Sequence, residues 1–343
     1  MPQAAFTFPT GFLWGTATAA HQVEGNNTNN NWFYWENQPG RIKNGDKAGA
    51  ACDWWGGRWR DDFDRAAEGR QNAHRMSVEW SRIQPAPDRW NEDALDVYRE
   101  MMRGMHLRGL MPVITLHHFS EPLWLMERGG WENAETPALF AKFTRKVVDA
   151  LRGFCTTWVP INEPNVFTYF AFLEGSFPPG KRDQGAAFRV MANLVRGHAL
   201  AYREIKSIQR EARVGTAIHM RWMEPARSWL PMDGMLARQF SQNFNFSFLN
   251  ALSTGRLHFL LRSARIPEAA GTQDFLGINY YTGDRVSFDL LQVKNFFARR
   301  SYPQGAELSE TGFIANRPEG LFHLLKEVQA YRLPIFITEN GVE

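Results

Sequence analysis

The chain has 343 residues, 44% apolar and 22% charged, with a formal net charge of +3, an ordinary balance for a globular protein. Lys and Arg interleave with Asp and Glu, as from Arg60 through Asp61, Asp62 and Asp64 to Arg65, so no basic stripe marks a nucleic-acid surface. No apolar run reaches the length of a membrane span, and no secretory leader is visible at the N-terminus. A cytoplasmic location is therefore the default expectation. Cys52 and Cys155 have neither metal-binding nor redox spacing; both are expected to be buried free thiols in a reducing compartment. The 13 Trp and 26 Phe suit sugar-stacking platforms and a large core equally well.

Seven apolar, strand-like runs follow one another at residues 12–17, 75–80, 112–117, 157–162, 214–219, 275–280 and 335–338. Amphipathic helical patterns lie between them. Asn91 can cap a helix whose apolar face is Leu95, Tyr98, Met102 and Met105, ending near Gly109. Thr136 is placed as a cap with Pro137 at the first helical position, followed by Phe140, Phe143, Val147 and Leu151 on one face. Leu321, Leu324, Val328 and Tyr331 form the last such face.

Strands alternating with helices imply parallel pairing through crossovers, and runs apolar throughout imply a sheet covered on both faces. A doubly wound open sheet is the rival architecture, but the stretch from Gly15 to Gly25 lacks the Gly-rich phosphate turn that fold usually carries after its first strand. Polar groups instead mark the ends of most of the runs: His21, Gln22 and Glu24 follow the first; the second begins with Arg75 and holds Glu79; the third ends in His117 and His118, followed by Phe119; the fourth ends in Asn162 and Glu163, the sixth in Asn279, Tyr280 and Tyr281, and the seventh in Glu339 and Asn340. The exits of barrel strands are where an α/β barrel places its chemistry. Two carboxylates facing one cavity, Glu163 and Glu339, are what glycosidic cleavage requires.

Several of these residues have plainer readings. Adjacent His117 and His118 point to opposite faces of a strand, which fits one structural and one pocket histidine and no metal. Glu79 reads as a structural partner of an arginine, and Glu24 as a group bonded to neighbours at the mouth. Trp80, Trp158 and Trp222 read as packing, and Arg299 with Arg300 as solvated loop.

Six segments in order resemble family 1 of the glycoside hydrolases, the β-glucosidases, β-galactosidases and relatives. They are Phe-Pro-Thr-Gly-Phe-Leu-Trp-Gly-Thr-Ala-Thr-Ala-Ala-His-Gln-Val-Glu-Gly at 8–25, Arg-Met-Ser-Val-Glu-Trp-Ser-Arg-Ile at 75–83, Thr-Leu-His-His at 115–118, Ile-Asn-Glu-Pro at 161–164, Asp-Phe-Leu-Gly-Ile-Asn-Tyr-Tyr at 274–281 and Ile-Thr-Glu-Asn-Gly at 337–341. The resemblance implies Glu163 as general acid and base and Glu339 as nucleophile. It implies Asn162 at the sugar 2-hydroxyl, Gln22 and His118 at other hydroxyls, and Asn279 lining the pocket. Arg75 and Tyr281 would keep Glu339 ionised, Tyr281 also facing the substrate. Phe119 departs from the pattern, which has Trp there, and so removes one hydrogen-bond donor.

The implied fold is a (β/α)8 TIM barrel, incomplete, with about seven of eight strands encoded. Residues 1–343 would form a single catalytic domain lacking the eighth βα unit, together with the Trp and Glu-Trp pair that the family carries there. A chain so cut is expected to be unstable or feebly active. The implied activity is retaining hydrolysis of β-linked glucosides or galactosides by double displacement, with carboxyl groups about 5–5.5 Å apart. It would need no cofactor, and its partner would be a small β-glycoside or oligosaccharide. A truncated barrel that binds sugar, or serves as a scaffold, without turnover is the alternative. A hydrolase of another reaction class would have to explain Asn162, Glu163 and Glu339 together. Sugar identity, aglycone choice and oligomeric state are not legible.

Overall fold

The computed structural model describes residues 7–293 and 296–341; residues 1–6, within the stretch read for a leader, and the last two residues lie outside that range. Among the described residues ten strands run in chain order: β1 (Gly15–Ala17), β2 (Ala73–Ser77), β3 (Met111–His117), β4 (Thr157–Ile161), β5 (Arg213–Pro225), β6 (Arg256–Phe259), β7 (Arg262–Arg265), β8 (Phe275–Phe288), β9 (Ala298–Ser301) and β10 (Ile335–Asn340). The main sheet has the order β1-β2-β3-β4-β5-β8-β10, every neighbour along that path being parallel. β9 joins β8 antiparallel, and β6 and β7 make a separate hairpin. The seven strands match the seven apolar runs and curl into a nearly closed α/β barrel.

β1 and β10 are the two edges, with no hydrogen-bonded ladder between them among the described residues. Phe12, Trp14 and Ile337 stand exposed beside this gap.

The helices form where the apolar spacing places them. Asn91 caps Glu92–Leu107 by accepting from the Ala94 N–H, and Leu95, Tyr98, Met102 and Met105 are all buried. In Thr136–Leu151 the cap is Glu135, one residue earlier than expected, because the Thr136 hydroxyl donates to the Gly130 carbonyl instead. On the last face Leu324 and Val328 are buried, while Leu321 and Tyr331 are half-buried. Two further helices, Trp59–Glu68 and the longest one, Gln184–Ile208, lie outside the faces read from the sequence.

Two apolar layers result. Helix faces pack on the outside of the sheet in one large cluster that includes Trp80, Trp131 and Trp158. Inside the barrel, Val113, Val159, Ala217 and Phe275 form a small plug against Met111 and Phe336, the side-chain layer that makes such a barrel solid. Period-two alternation then decides what lies above the plug. On β8, Phe275, Gly277, Asn279 and Tyr281 share one face, while Tyr280 points outward to the Arg317 carbonyl.

Three expectations are corrected here. β2 ends at Ser77, because Glu79 turns the chain into the short helix Trp80–Ile83 as its cap. Cys155 is buried but Cys52 is exposed, since Cys52 lies in a turn-rich stretch rather than in an element. Arg299 and Arg300 lie in strand β9, not in a loop. No helix among the described residues is long and apolar enough to cross a membrane.

Burial also loads the fold with a pH dependence. Glu121 is 4% exposed, and burial pushes its carboxyl up to about 8. The folded chain therefore keeps a proton that the unfolded chain releases near the ordinary glutamate value. Stability from this group is complete at low pH and is lost as pH rises through about 8. Replacing Glu121 with Gln should flatten the decline in unfolding free energy between pH 5 and 8.5, by an amount on the order of a few kcal/mol. Calorimetry on the two chains checks this, and equal slopes would contradict it.

Candidate active site

The site is assembled from strand exits. From β2, Arg75 reaches inward and donates three hydrogen bonds: Nε to the Thr115 hydroxyl (2.9 Å), Nη1 to Glu339 Oε1 (2.6 Å) and Nη2 to Asn162 Oδ1 (2.6 Å). A guanidinium's rigid fork suits such a hub. Asn162 Oδ1 also accepts from Asn279 Nδ2 (3.2 Å), and the same Nδ2 donates to Glu163 Oε1 (2.7 Å). The Thr338 hydroxyl donates to Asn279 Oδ1 (2.6 Å), which fixes the orientation of that amide. Glu163 and Glu339 are thus tied to one frame of Arg75, Asn162 and Asn279.

Local backbone geometry aims both carboxylates. β4 hands over to the helix Pro164–Tyr169 at Glu163, whose φ of 43° and ψ of 57° are left-handed. That conformation costs a non-glycine residue about 1–3 kcal/mol, and here the Glu163 N–H is held by the Ala217 carbonyl (2.7 Å). On β10 the register shifts between Ile337 and Glu339, a bulge of the kind that redirects a side chain near a site.

The two acids have different surroundings. Burial raises the Glu339 carboxyl, but the Arg75 guanidinium and the Tyr281 hydroxyl, which donates to Oε2 at 2.5 Å, together hold it below the usual carboxylate range. Tyr281 is itself pushed up, by burial first and then by Glu339 and Glu163, so the phenol keeps its proton and remains a donor. Glu163 is 6% exposed and contacts no Arg or Lys among the described residues; its neighbours are the Asn279 amide and His219, whose Nδ1 lies 3.4 Å from Oε1.

His118 faces the same hollow. Its Nε2 lies 3.0 Å from the Asn162 Nδ2 donor, so this nitrogen accepts and Nδ1 carries the proton. Burial lowers the ring to about 4, leaving it neutral at pH 7, and Nδ1 has no partner among the described residues. His117 points the other way, accepting from Trp131 Nε1 (3.0 Å) in the core. Gln22 and Phe119 line the cavity without joining the central frame. The hollow encloses about 1650 Å³.

One of the plainer readings changes, that of Glu79, while Glu24 bonds to neighbouring side chains as expected. Glu79 makes no ion pair among the described residues; hydroxyls of Ser81 and Ser120 satisfy it. The buried arginine pair belongs to Glu24, which takes Arg82 Nε (2.7 Å) and the Tyr98 hydroxyl (2.6 Å). None of Trp80, Trp158 and Trp222 lines the cavity. Sequence reasoning missed His219, Thr115 and Thr338. His219 carried a usable signal, since it is the polar end of the fifth apolar run.

Comparison with known proteins identifies the family. The profile of glycosyl hydrolase family 1 matches residues 4–343. The chain is 33% identical to Beta-glucosidase A of Thermotoga maritima over 356 aligned positions, covering 97% of this chain and 78% of that protein. A beta-glycosidase from Pyrococcus horikoshii superposes with a TM-score of 0.89 at 34% identity, covering 98% of this chain and 76% of the other. A beta-glucosidase from Thermotoga maritima in complex with castanospermine superposes with a TM-score of 0.89 at 30% identity, covering 98% and 78%. The strand-exit carboxylates, their shared frame and these similarities agree: the chain belongs to glycosyl hydrolase family 1.

Proposed function

We propose that the protein hydrolyses β-linked glucosides or galactosides with retention, Glu339 being the nucleophile and Glu163 the general acid and base. The observation that carries this is the asymmetry of two carboxylates joined through Arg75, Asn162 and Asn279. Glu339 has a guanidinium and a phenol holding it ionised, while Glu163 has neither and contacts the Asn279 amide and His219 instead.

In the first step a Glu339 oxygen bonds to the anomeric carbon, and the bond to the aglycone oxygen breaks as that oxygen takes the Glu163 proton. In the second step Glu163, now ionised, removes a proton from water. The water oxygen bonds to the anomeric carbon and the Glu339 carboxylate is released. Asn162, Asn279, His118 and Gln22 supply donors and acceptors for ring hydroxyls, and the free His118 Nδ1–H is one ready donor. The unpaired Cys52 and Cys155 support a reducing, cytoplasmic setting.

A 2-deoxy-2-fluoro-β-glucoside with an activated leaving group should leave a sugar ester on Glu339, read by peptide mass mapping. Ester at another residue would overturn the assignment. Affinity for the reagent with no label would favour the sugar-binding alternative.

A further inference from the structure

The mouth of the cavity is built differently from its floor. Above Glu163 its wall is aromatic: Phe170 stacks on Phe177 with centroids 5.0 Å apart, Phe170 approaches Phe313 at 6.4 Å, and Tyr169 meets Phe244 edge-on at 6.1 Å. Such faces receive a flat ring. Beside them lie two arginines with unlike roles. Arg221, on β5, is buried and forms a bidentate pair with Asp284 of β8, Nε at 2.7 Å and Nη2 at 2.8 Å, with Nη2 also on the Tyr302 hydroxyl. Arg300, on β9, has no carboxylate partner among the described residues. Its Nη2 donates to the Tyr169 hydroxyl (3.1 Å), and the guanidinium lies 5.6 Å from that ring's centroid.

Both arginines line the cavity, yet one carboxylate serves them. Asp284 is held below the usual range against its burial, by Arg221 first and by Arg300 at longer range. The cluster therefore has one positive charge in excess. Glu174 also lines the mouth, with no ion pair to Arg300 among the described residues.

Resting on the glycosidase reading, we propose that the leaving-group side of this site selects aryl β-glycosides whose ring bears a carboxylate, which Arg300 receives. The ring would lie against Phe170, Phe177 and Phe313, and the anion would meet a guanidinium that Tyr169 steadies. A fork of N–H donors matches a carboxylate better than an ammonium does.

The test uses 4-carboxyphenyl β-D-glucoside and its methyl ester, with the ratio of kcat/KM measured in the native chain, Arg300→Ala and Arg300→Lys. Comparing one ratio across variants cancels the intrinsic reactivity of each leaving group. Arg300→Ala should lower the acid-to-ester ratio about fivefold, as for a half-exposed ion pair, with ester hydrolysis within about twofold of native. Arg300→Lys should keep part of the preference, and added salt should erode it in the native chain and in Arg300→Lys but not in Arg300→Ala. A ratio that does not move with Arg300 overturns the proposal while leaving the glycosidase reading intact. Hydrolysis of neither compound overturns that reading instead. Calorimetric titration of the same pair then reads the acid-to-ester preference directly as binding. A binding preference that falls in Arg300→Ala supports the proposal, and one that stays unchanged overturns it.

Discussion

Replacing Glu339 with Gln is expected to lower kcat by about 10⁴-fold or more, the loss seen when a group that bonds covalently to substrate is removed. The amide has the shape of the carboxylate and can still accept from Arg75 Nη1, now 2.6 Å away, so the barrel should fold. It cannot form the glycosyl ester. Glu339→Asp retains the charge but withdraws it by one methylene, and a displacement of about 1 Å already costs roughly 10²-fold. Aryl glucoside turnover, with circular dichroism as a check on folding, reads both variants; a Gln variant within tenfold of native would end the assignment. The same residue sets the acidic limb of the kcat/KM profile. Its carboxyl lies below the usual range because Arg75 and Tyr281 outweigh burial, so activity should persist to lower pH than an ordinary glutamate allows. Arg75→Met should move that limb upward.

Much of this was legible in the sequence for a specific physical reason. Barrel strands are buried on both faces, so they read as continuous apolar runs, and a polar residue at the end of such a run stands out. Asn162, Glu163, Asn279, Tyr281 and Glu339 stand out in this way, Arg75 opens its run instead, and the structure brings all six into one hydrogen-bonded frame. What remained hidden depends on three-dimensional packing. β5 and β8 extend past their apolar cores to Pro225 and Phe288 because they pair with each other from Gly215 to Pro225 and from Phe275 to Val286, and alternation beyond the barrel rim is not apolar. Strand β9 forms only because β8 offers it an edge, so Arg299 and Arg300 read as loop. Glu79 lacks the arginine expected of it, because the turn after β2 leaves it to the hydroxyls of Ser81 and Ser120 while Arg82 meets Glu24. The charge excess at Arg300 cannot be seen without the pairing of Arg221 with Asp284.

Replacing Glu163 with Ala should produce losses that depend on the leaving group. An alkyl glucoside needs its departing oxygen protonated, so its hydrolysis should fall by about 10²–10⁴-fold, the usual worth of a positioned proton donor. A 2,4-dinitrophenyl glucoside departs without help, so its first step should continue. The second step then lacks a base, the ester on Glu339 accumulates, and a burst of phenol precedes slow turnover with a lowered KM. The substitution also empties the space under Asn279 Nδ2, which lies 2.7 Å from Glu163 Oε1 in the native chain. Azide fits there and needs no deprotonation, so adding it should restore turnover and yield a glycosyl azide. Its stereochemistry decides between the two carboxylates. Azide attacking an ester on Glu339 gives the β-anomer, by two inversions. If Glu163 were the nucleophile, azide would attack the glucoside directly in its absence and give the α-anomer. Proton NMR of the product distinguishes these, and an α-azide would exchange the roles of the two acids.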